Sequence, residues 1–276
     1  NTATDESATV AGGSTNDATG TNATVGGGAG NTASGQEATV AGGGGNTADS
    51  NRATAGGGQL NTASSDNATV AGGFNNTASG SASTIGGGGN NGASASNTTV
   101  AGGRENESSG QGAAVGGGYN NRAVASYATV AGGGPRDTSS PDATNNVAHD
   151  NYGTIAGGAN NQAGDPNASG TDNAEYAAVG GGRGNEATGP STAVGGGERN
   201  VASATNATVG GGRKNEATAT TTTVAGGQEN VASGFESAIG GGGFNEVSAN
   251  RAVVGGGGFN DARAEYATIA GGGPTD

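Results

Sequence analysis

A β-branched anchor recurs every fifteen residues along most of this chain, each time followed by Ala or Gly and then two glycines. The anchors are Val10, Val25, Val40, Val70, Ile85, Val100, Val115, Val130, Ile155, Val179, Val194, Val209, Val224, Ile239, Val254 and Ile269, with Ala55 in the fourth place. Of the 16 intervals between these 17 anchors, fourteen are 15 residues long and two are 25 and 24. A fixed phase of this kind is the signature of a stacked-repeat architecture. It decides between repetition and disorder, the two readings open to a chain with 63 Gly, no Trp, Met or Cys, and a hydrophobic fraction of 30%.

One unit runs Asn16-x-Ala18-Thr19-Gly20-x-x-Ala23-Thr24-Val25-Gly26-Gly27-Gly28. Ala23 and Val25 are two apart and share one face of a strand. Ala18 holds the matching phase in a second arm, where only Ser108 and Val247 replace Ala. Gly-rich stretches separate the arms, as corners needing positive φ require. Helices are excluded, because a Gly pair in every unit would break them. The expected fold is therefore all-β, a parallel β-solenoid (β-roll) of about 17 coils with a 15-residue repeat. It is read as a single solenoid over 1–276, a continuous rod with a thin Val and Ala interior. The long intervals read as loop insertions at 136–145 and 165–174.

Asn stands two places before the Ala of the second arm in every unit, as at Asn31, Asn46, Asn61, Asn185 and Asn260. Two structural roles suit it: a left-handed corner residue, or a ladder of side-chain amides bonding from coil to coil. The first nine coils alternate Ala and Gly after the anchor, from Ala11 and Gly26 to Gly116 and Ala131. Close backbone approach at every second coil is one reason for such an alternation.

The recurring Ala38-Thr39-Val40 with Asn31-Thr32-Ala33-Ser34-Gly35 resembles the YadA-like head repeats of trimeric autotransporter adhesins; similar repeats occur in phage fibres and surface proteins. The resemblance covers nearly the whole chain. It implies a left-handed roll, three parallel chains, an extracellular or cell-surface location, and adhesion.

The residues flanking the anchors point outward and supply a candidate assembly face: Thr9, Thr24, Thr39, Thr54, Thr69, Thr84, Thr99 and Thr129. The position before the anchor is Thr in 12 of 17 units, and neither flanking position is ever charged. Asp17, Glu107, Arg122, Glu186, Glu216, Glu246 and Asp261 stand outward on the other arm. A flat neutral face beside a charged one reads as a packing surface for copies of the same chain. Corner aromatics supply a candidate contact strip, Tyr127, Tyr152, Tyr176, Phe244 and Phe259, for a host-surface protein or a glycan. Asn22, Asn67, Asn97 and Asn206 are candidate glycosylation sites, and further sequons begin at Asn75, Asn106 and Asn167.

The net charge of −13 argues against nucleic acid. Without Cys and with His149 as the sole His, no nucleophile–base pair or zinc site is expected, so the chain reads as a non-enzyme with no cofactor and no metal. Asp137, Asp142, Asp165 and Asp172 are spread over the insertions and are enough for an isolated calcium ion at most. No segment is long and apolar enough for membrane insertion. The chain starts in the phase of a corner, with Asn1-Thr2-Ala3-Thr4 matching Asn31-Thr32-Ala33-Ser34, and shows no capping segment. Either a longer protein or head-to-tail stacking of copies is expected from that. The function expected is an extracellular structural fibre or filament subunit. The alternative is an adhesin or tail-fibre shaft. An ice-binding solenoid is a minor alternative, weakened because Thr forms only one rank.

Overall fold

The computed structural model describes residues 1–134, 145–167 and 173–273. Among them there is no helix. The chain is all-β, a parallel β-solenoid of about 17 turns with a repeat of about 15 residues. It divides into two compact units, residues 1–127 and 128–276. The insertions expected at 136–145 and 165–174 lie largely outside the described residues.

In the first unit each coil contributes one two-residue strand to each of two parallel sheets. The alanine sheet runs from Thr2–Ala3 through Asp17–Ala18 and Thr32–Ala33 to Glu107–Ser108 and Arg122–Ala123. The anchor sheet runs from Thr9–Val10 through Thr24–Val25 to Ala114–Val115. Register is exact from coil to coil: Thr69 opposes Thr84, and Val70 opposes Ile85. The second unit repeats the plan, with an anchor sheet from Thr129–Val130 to Thr268–Ile269 and an alanine sheet from Val147–Ala148 to Asp261–Ala262.

Each inner coil buries the same four positions of its repeat, and several bury a fifth, as at Gly20 and Gly35. In one coil the four are Ala23 and Val25 on the anchor arm and Asn31 and Ala33 on the other, all fully buried. A fully buried Val stabilises by about 1.5–3 kcal/mol, so the anchors are the strongest single apolar contribution in each coil. The exceptions in the alanine row fit the same slot. Val247 is wholly buried, and buried Ser108 donates its hydroxyl to the carbonyl of Ala113 at 2.9 Å.

The coil is not two arms and two corners, as the sequence pattern suggests. A third paired segment, one residue wide, runs Ser14–Ala29–Gly44–Gln59–Phe74–Gly89–Arg104–Tyr119 in the first unit. The second has Ala159–Arg183–Glu198–Arg213–Gln228–Gly243–Gly258. No residue type marks this column, because main-chain bonds such as Ser14 N–H to Gly28 O at 2.9 Å recur along it whatever the side chain, and side-chain pairs such as Arg183 with Glu198 add to it only locally.

The ladder role of Asn is the correct one, and the left-handed corner role is not. None of the buried row Asn16, Asn31, Asn46, Asn61 and Asn76 has positive φ. The left-handed residue is the one just before, as at Thr15, Leu60, Asn75 and Glu105, and a second lies three places before each anchor, as at Asn22, Glu37 and Arg52. Among the described residues 28 non-Gly residues take positive φ, so these corners do not require Gly. The left-handed conformation costs about 1–2 kcal/mol per residue. It is offset where the strained residue donates to the neighbouring coil, as Glu37 N–H does to Thr21 O at 2.8 Å.

Glycine is obligatory three places after the anchor. A Cβ on Gly103, at φ +87°, would overlap the carbonyl oxygen of Gly118 in the next coil. The Ala/Gly alternation has the same kind of cause. A Cβ on Gly26, Gly56 or Gly86 would overlap the carbonyl oxygen of Ala41, Ala71 or Ala101. The main chain thus approaches closely from each Gly coil to the Ala coil that follows.

Candidate assembly face, aromatic stacks and corner asparagines

The anchor sheet sets the outward Thr row. In the first unit Thr9, Thr24, Thr39, Thr54, Thr69, Thr84 and Thr99 are direct neighbours in seven successive strands, half-buried or exposed. Thr129 begins the corresponding row of the second unit, opposite Thr154. Coils lie ~4.8 Å apart in a parallel ladder, so hydroxyl and methyl groups repeat at that spacing. On the other side of the anchors stand Ala11, Gly26, Ala41 and their successors, all exposed. The face carries no charge and no large side chain in the first unit. Val253, 37% exposed, is its one large apolar residue in the second.

The alanine sheet differs. Asp17, Glu107 and Arg122 are half-buried on its outer side, and Glu186, Glu216, Glu246 and Asp261 are exposed. Arg122 pairs with Glu107 at 2.8 Å. Along the corner beside this sheet Arg183 pairs with Glu198 at 3.6 Å, while Arg213 and Lys214 reach Glu229 at 3.5 and 3.4 Å. Such exposed pairs contribute little stability each; their effect is to mark this side as polar. A shallow groove of about 430 Å³ lies here, lined by Lys214, Glu216, Glu229, Val231, Phe244 and Glu246.

The predicted aromatic strip separates into two corners. Tyr127, Tyr152, Tyr176 and Tyr266 sit three places before their anchors, all left-handed and exposed. Phe244 and Phe259 occupy the other left-handed corner, just before the Asn ladder. Tyr152 and Tyr176 stack with centroids 4.9 Å apart, and Phe244 and Phe259 do the same at 4.9 Å. The repeat phase already sets the two apart, although the candidate strip runs through both. A further cluster went unrecognised in the sequence: Arg251 lies over the rings of Phe235 and Tyr266 and donates to Glu236 at 2.8 Å and to the Tyr266 hydroxyl at 2.9 Å. The hydrogen bond to Glu236, then that to Tyr266, raises the Arg251 pKa above its ordinary value. The signal for it was the single-coil spacing of Glu236, Arg251 and Tyr266.

The sequons also sort by position. Asn22, Asn67, Asn97 and Asn206 share the left-handed corner before the anchor and are exposed. Asn75 is exposed at the other corner and donates to Asn90 at 2.8 Å. Asn106 belongs to the buried ladder, its amide nitrogen donating to Gly102 O at 2.9 Å and Gly118 O at 3.0 Å. The sequon of Asn167 runs into residues outside those described.

Among the described residues no group of three or more His, Cys, Asp or Glu is arranged to hold a metal ion. Asp137, Asp142 and Asp172 lie outside those residues. Among the described residues no helix is long and apolar enough to cross a membrane. No family model matches the chain, and no curated protein matches it.

Proposed function

We propose that this chain is an extracellular structural solenoid, a fibre or filament subunit, that associates side by side with copies of itself through the outer face of the anchor sheet. One observation carries the reading: both outward positions beside every anchor are uncharged, while charged side chains stand on the alanine sheet and the corners. A regular surface of Thr, Ala and Gly desolvates at small cost when it meets a matching surface, because it buries no ion. The similarity to YadA-like head repeats points the same way, toward parallel chains at a cell surface.

The test is sedimentation velocity on the parent and on Thr69→Arg/Thr84→Arg. The parent is expected to sediment as an oligomer and the variant as a monomer with unchanged circular dichroism. A monomeric parent, or a variant that associates equally well, would place the interface elsewhere. The stacked and exposed pairs Tyr152–Tyr176 and Phe244–Phe259 favour a second reading, an adhesin that meets a host protein or glycan at its corners. Exposed aromatic faces are suited to such contacts. Neither reading assigns the chain a catalytic role.

A further inference from the structure

We propose that Asn22, Asn67, Asn97 and Asn206 are acceptor sites for an N-linked glycan, forming a modified corner beside the Thr row, and that Asn106 is not an acceptor although its sequence motif is the same.

Four features of the folded chain converge at the acceptor positions. Each Asn is exposed in a left-handed turn, with φ of 58°, 59°, 59° and 59° in that order. Its main chain is fixed by a bond to the coil before it: Asn22 N–H to Glu6 O at 2.8 Å, and Asn67, Asn97 and Asn206 to Asn51, Ser81 and Pro190 at 2.9 Å each. The third sequon residue, Thr24, Thr69, Thr99 or Thr208, lies on the outer side of the anchor sheet, at the surface. The middle residue, Ala23, Ala68, Thr98 or Ala207, is buried and anchors the turn.

The side-chain amides complete the contrast. No Nδ2 of these four donates a hydrogen bond; only the Oδ1 of Asn67 is engaged, by Arg52 at 3.5 Å. An unengaged amide nitrogen is the atom the reaction needs. It forms a bond to the anomeric carbon of a glycosyl diphosphate and loses one proton to the transferase. The anomeric C–O bond breaks, and the diphosphate leaves with that electron pair. At Asn106 the same nitrogen is held by two carbonyls, the residue is 1% exposed, and the sequon hydroxyl of Ser108 is buried against Ala113 O. Reaction there requires opening two coils.

The motif alone does not make this distinction, since the repeat itself supplies Thr two places after the corner. The ladder and the corner do. The sugar donor in a cell is a lipid-linked or a nucleotide-linked diphosphate; the shared acceptor chemistry is what the fold specifies.

The experiment uses the folded chain, a purified soluble N-glycosyltransferase that recognises Asn-x-Ser/Thr, and a nucleotide-activated hexose, with site occupancy read by peptide mass spectrometry. Short peptides spanning each of the five sequons serve as controls, as does Asn22→Gln/Asn67→Gln/Asn97→Gln/Asn206→Gln. Expected are hexose adducts at the four corner sites of the native chain, and occupancy at Asn106 lower by more than about tenfold, as burial and local opening dictate. After unfolding in denaturant and transfer to assay buffer with the enzyme, before refolding completes, Asn106 is expected to gain hexose. Two results would overturn the proposal: no adduct at the four sites while their peptides are modified, or native Asn106 modified as readily as they are.

Discussion

The side-chain oxygen of Asn31 accepts the backbone N–H of Asn46 in the next coil at 2.9 Å. The amide nitrogen of Asn46 then donates to Gly42 O at 2.8 Å and Gly58 O at 3.0 Å, and its oxygen accepts from Asn61 N–H at 3.0 Å. One buried side chain thus satisfies main-chain groups in the coils on either side of it. Replacing Asn46 by Ala removes the partners of Gly42 O and of the Asn61 N–H, at about 1–3 kcal/mol for each, while Gly58 O keeps the N–H of Gly44 at 2.9 Å. The expected loss is about 3–5 kcal/mol, read as a lower urea midpoint and as faster hydrogen exchange at the amide of Asn61. Exchange at that amide equal to the parent's would show that the ladder does not hold the coils together.

Adjacent glycines separate two demands that the sequence presents as one motif. A Cβ at Gly102 has nothing within 4 Å, whereas a Cβ at Gly103 overlaps Gly118 O and strains a φ of +87°. Gly102→Ala is expected to shift stability by less than about 1 kcal/mol, with a small gain from the restricted unfolded chain. Gly103→Ala is expected to cost more than about 3 kcal/mol, because the next coil must move away. Thermal melts of the two variants, side by side, test the difference.

The position two before the anchor gives a prediction of opposite sign. Thr98, Thr192 and Thr222 fill it with hydroxyls bonded to the carbonyls of Ala95, Gly189 and Ala219. Ser83 and Ser237 fill it too, but their buried hydroxyls have no partner. Ala occupies this slot in other coils, as at Ala23 and Ala68. Ser83→Ala and Ser237→Ala are therefore expected to stabilise by about 1 kcal/mol each. A lowered melting temperature in either variant would indicate that the hydroxyl has a role the packing does not reveal.

The 15-residue phase located the buried positions. Val25 and Ala18 point inward and Thr24 lies on the outer side as expected, while the burial of Asn31 beside them goes beyond the Val and Ala interior that the phase suggests. What stayed hidden depends on main-chain geometry without a side-chain signature. The column containing Ser14, Gln59 and Phe74 is paired through the backbone at each of its bridges, so any outward residue fits it. The left-handed corners accept Glu37, Arg52 and Tyr176 because their Cβ atoms face solvent and neighbouring coils supply the hydrogen bonds. The Thr row of the candidate assembly face was legible because charge is absent from it at every coil. The phase also sets the tyrosines, three places before their anchors, apart from Phe244 and Phe259, just before the Asn; what it does not give is which rings stack, Tyr152 on Tyr176 and Phe244 on Phe259.

The two readings of function make different demands on those stacks, and one pair of variants divides them. Tyr176→Ala/Phe259→Ala removes one ring from each stack at positions 57% and 65% exposed. Aromatic pairs of this kind contribute about 0.5–1.5 kcal/mol each, so the fold is expected to persist with a melting temperature a few degrees lower. If the chain is an adhesin, binding of the variant to a target-cell or glycan array falls severalfold while its sedimentation matches the parent. If the chain is a lateral fibre subunit, adhesion and sedimentation are both unchanged, and only the charged substitutions at Thr69 and Thr84 release monomers. Loss of association in the aromatic variant with the Thr face intact would contradict the assignment of the interface to the anchor sheet and move it to the corners.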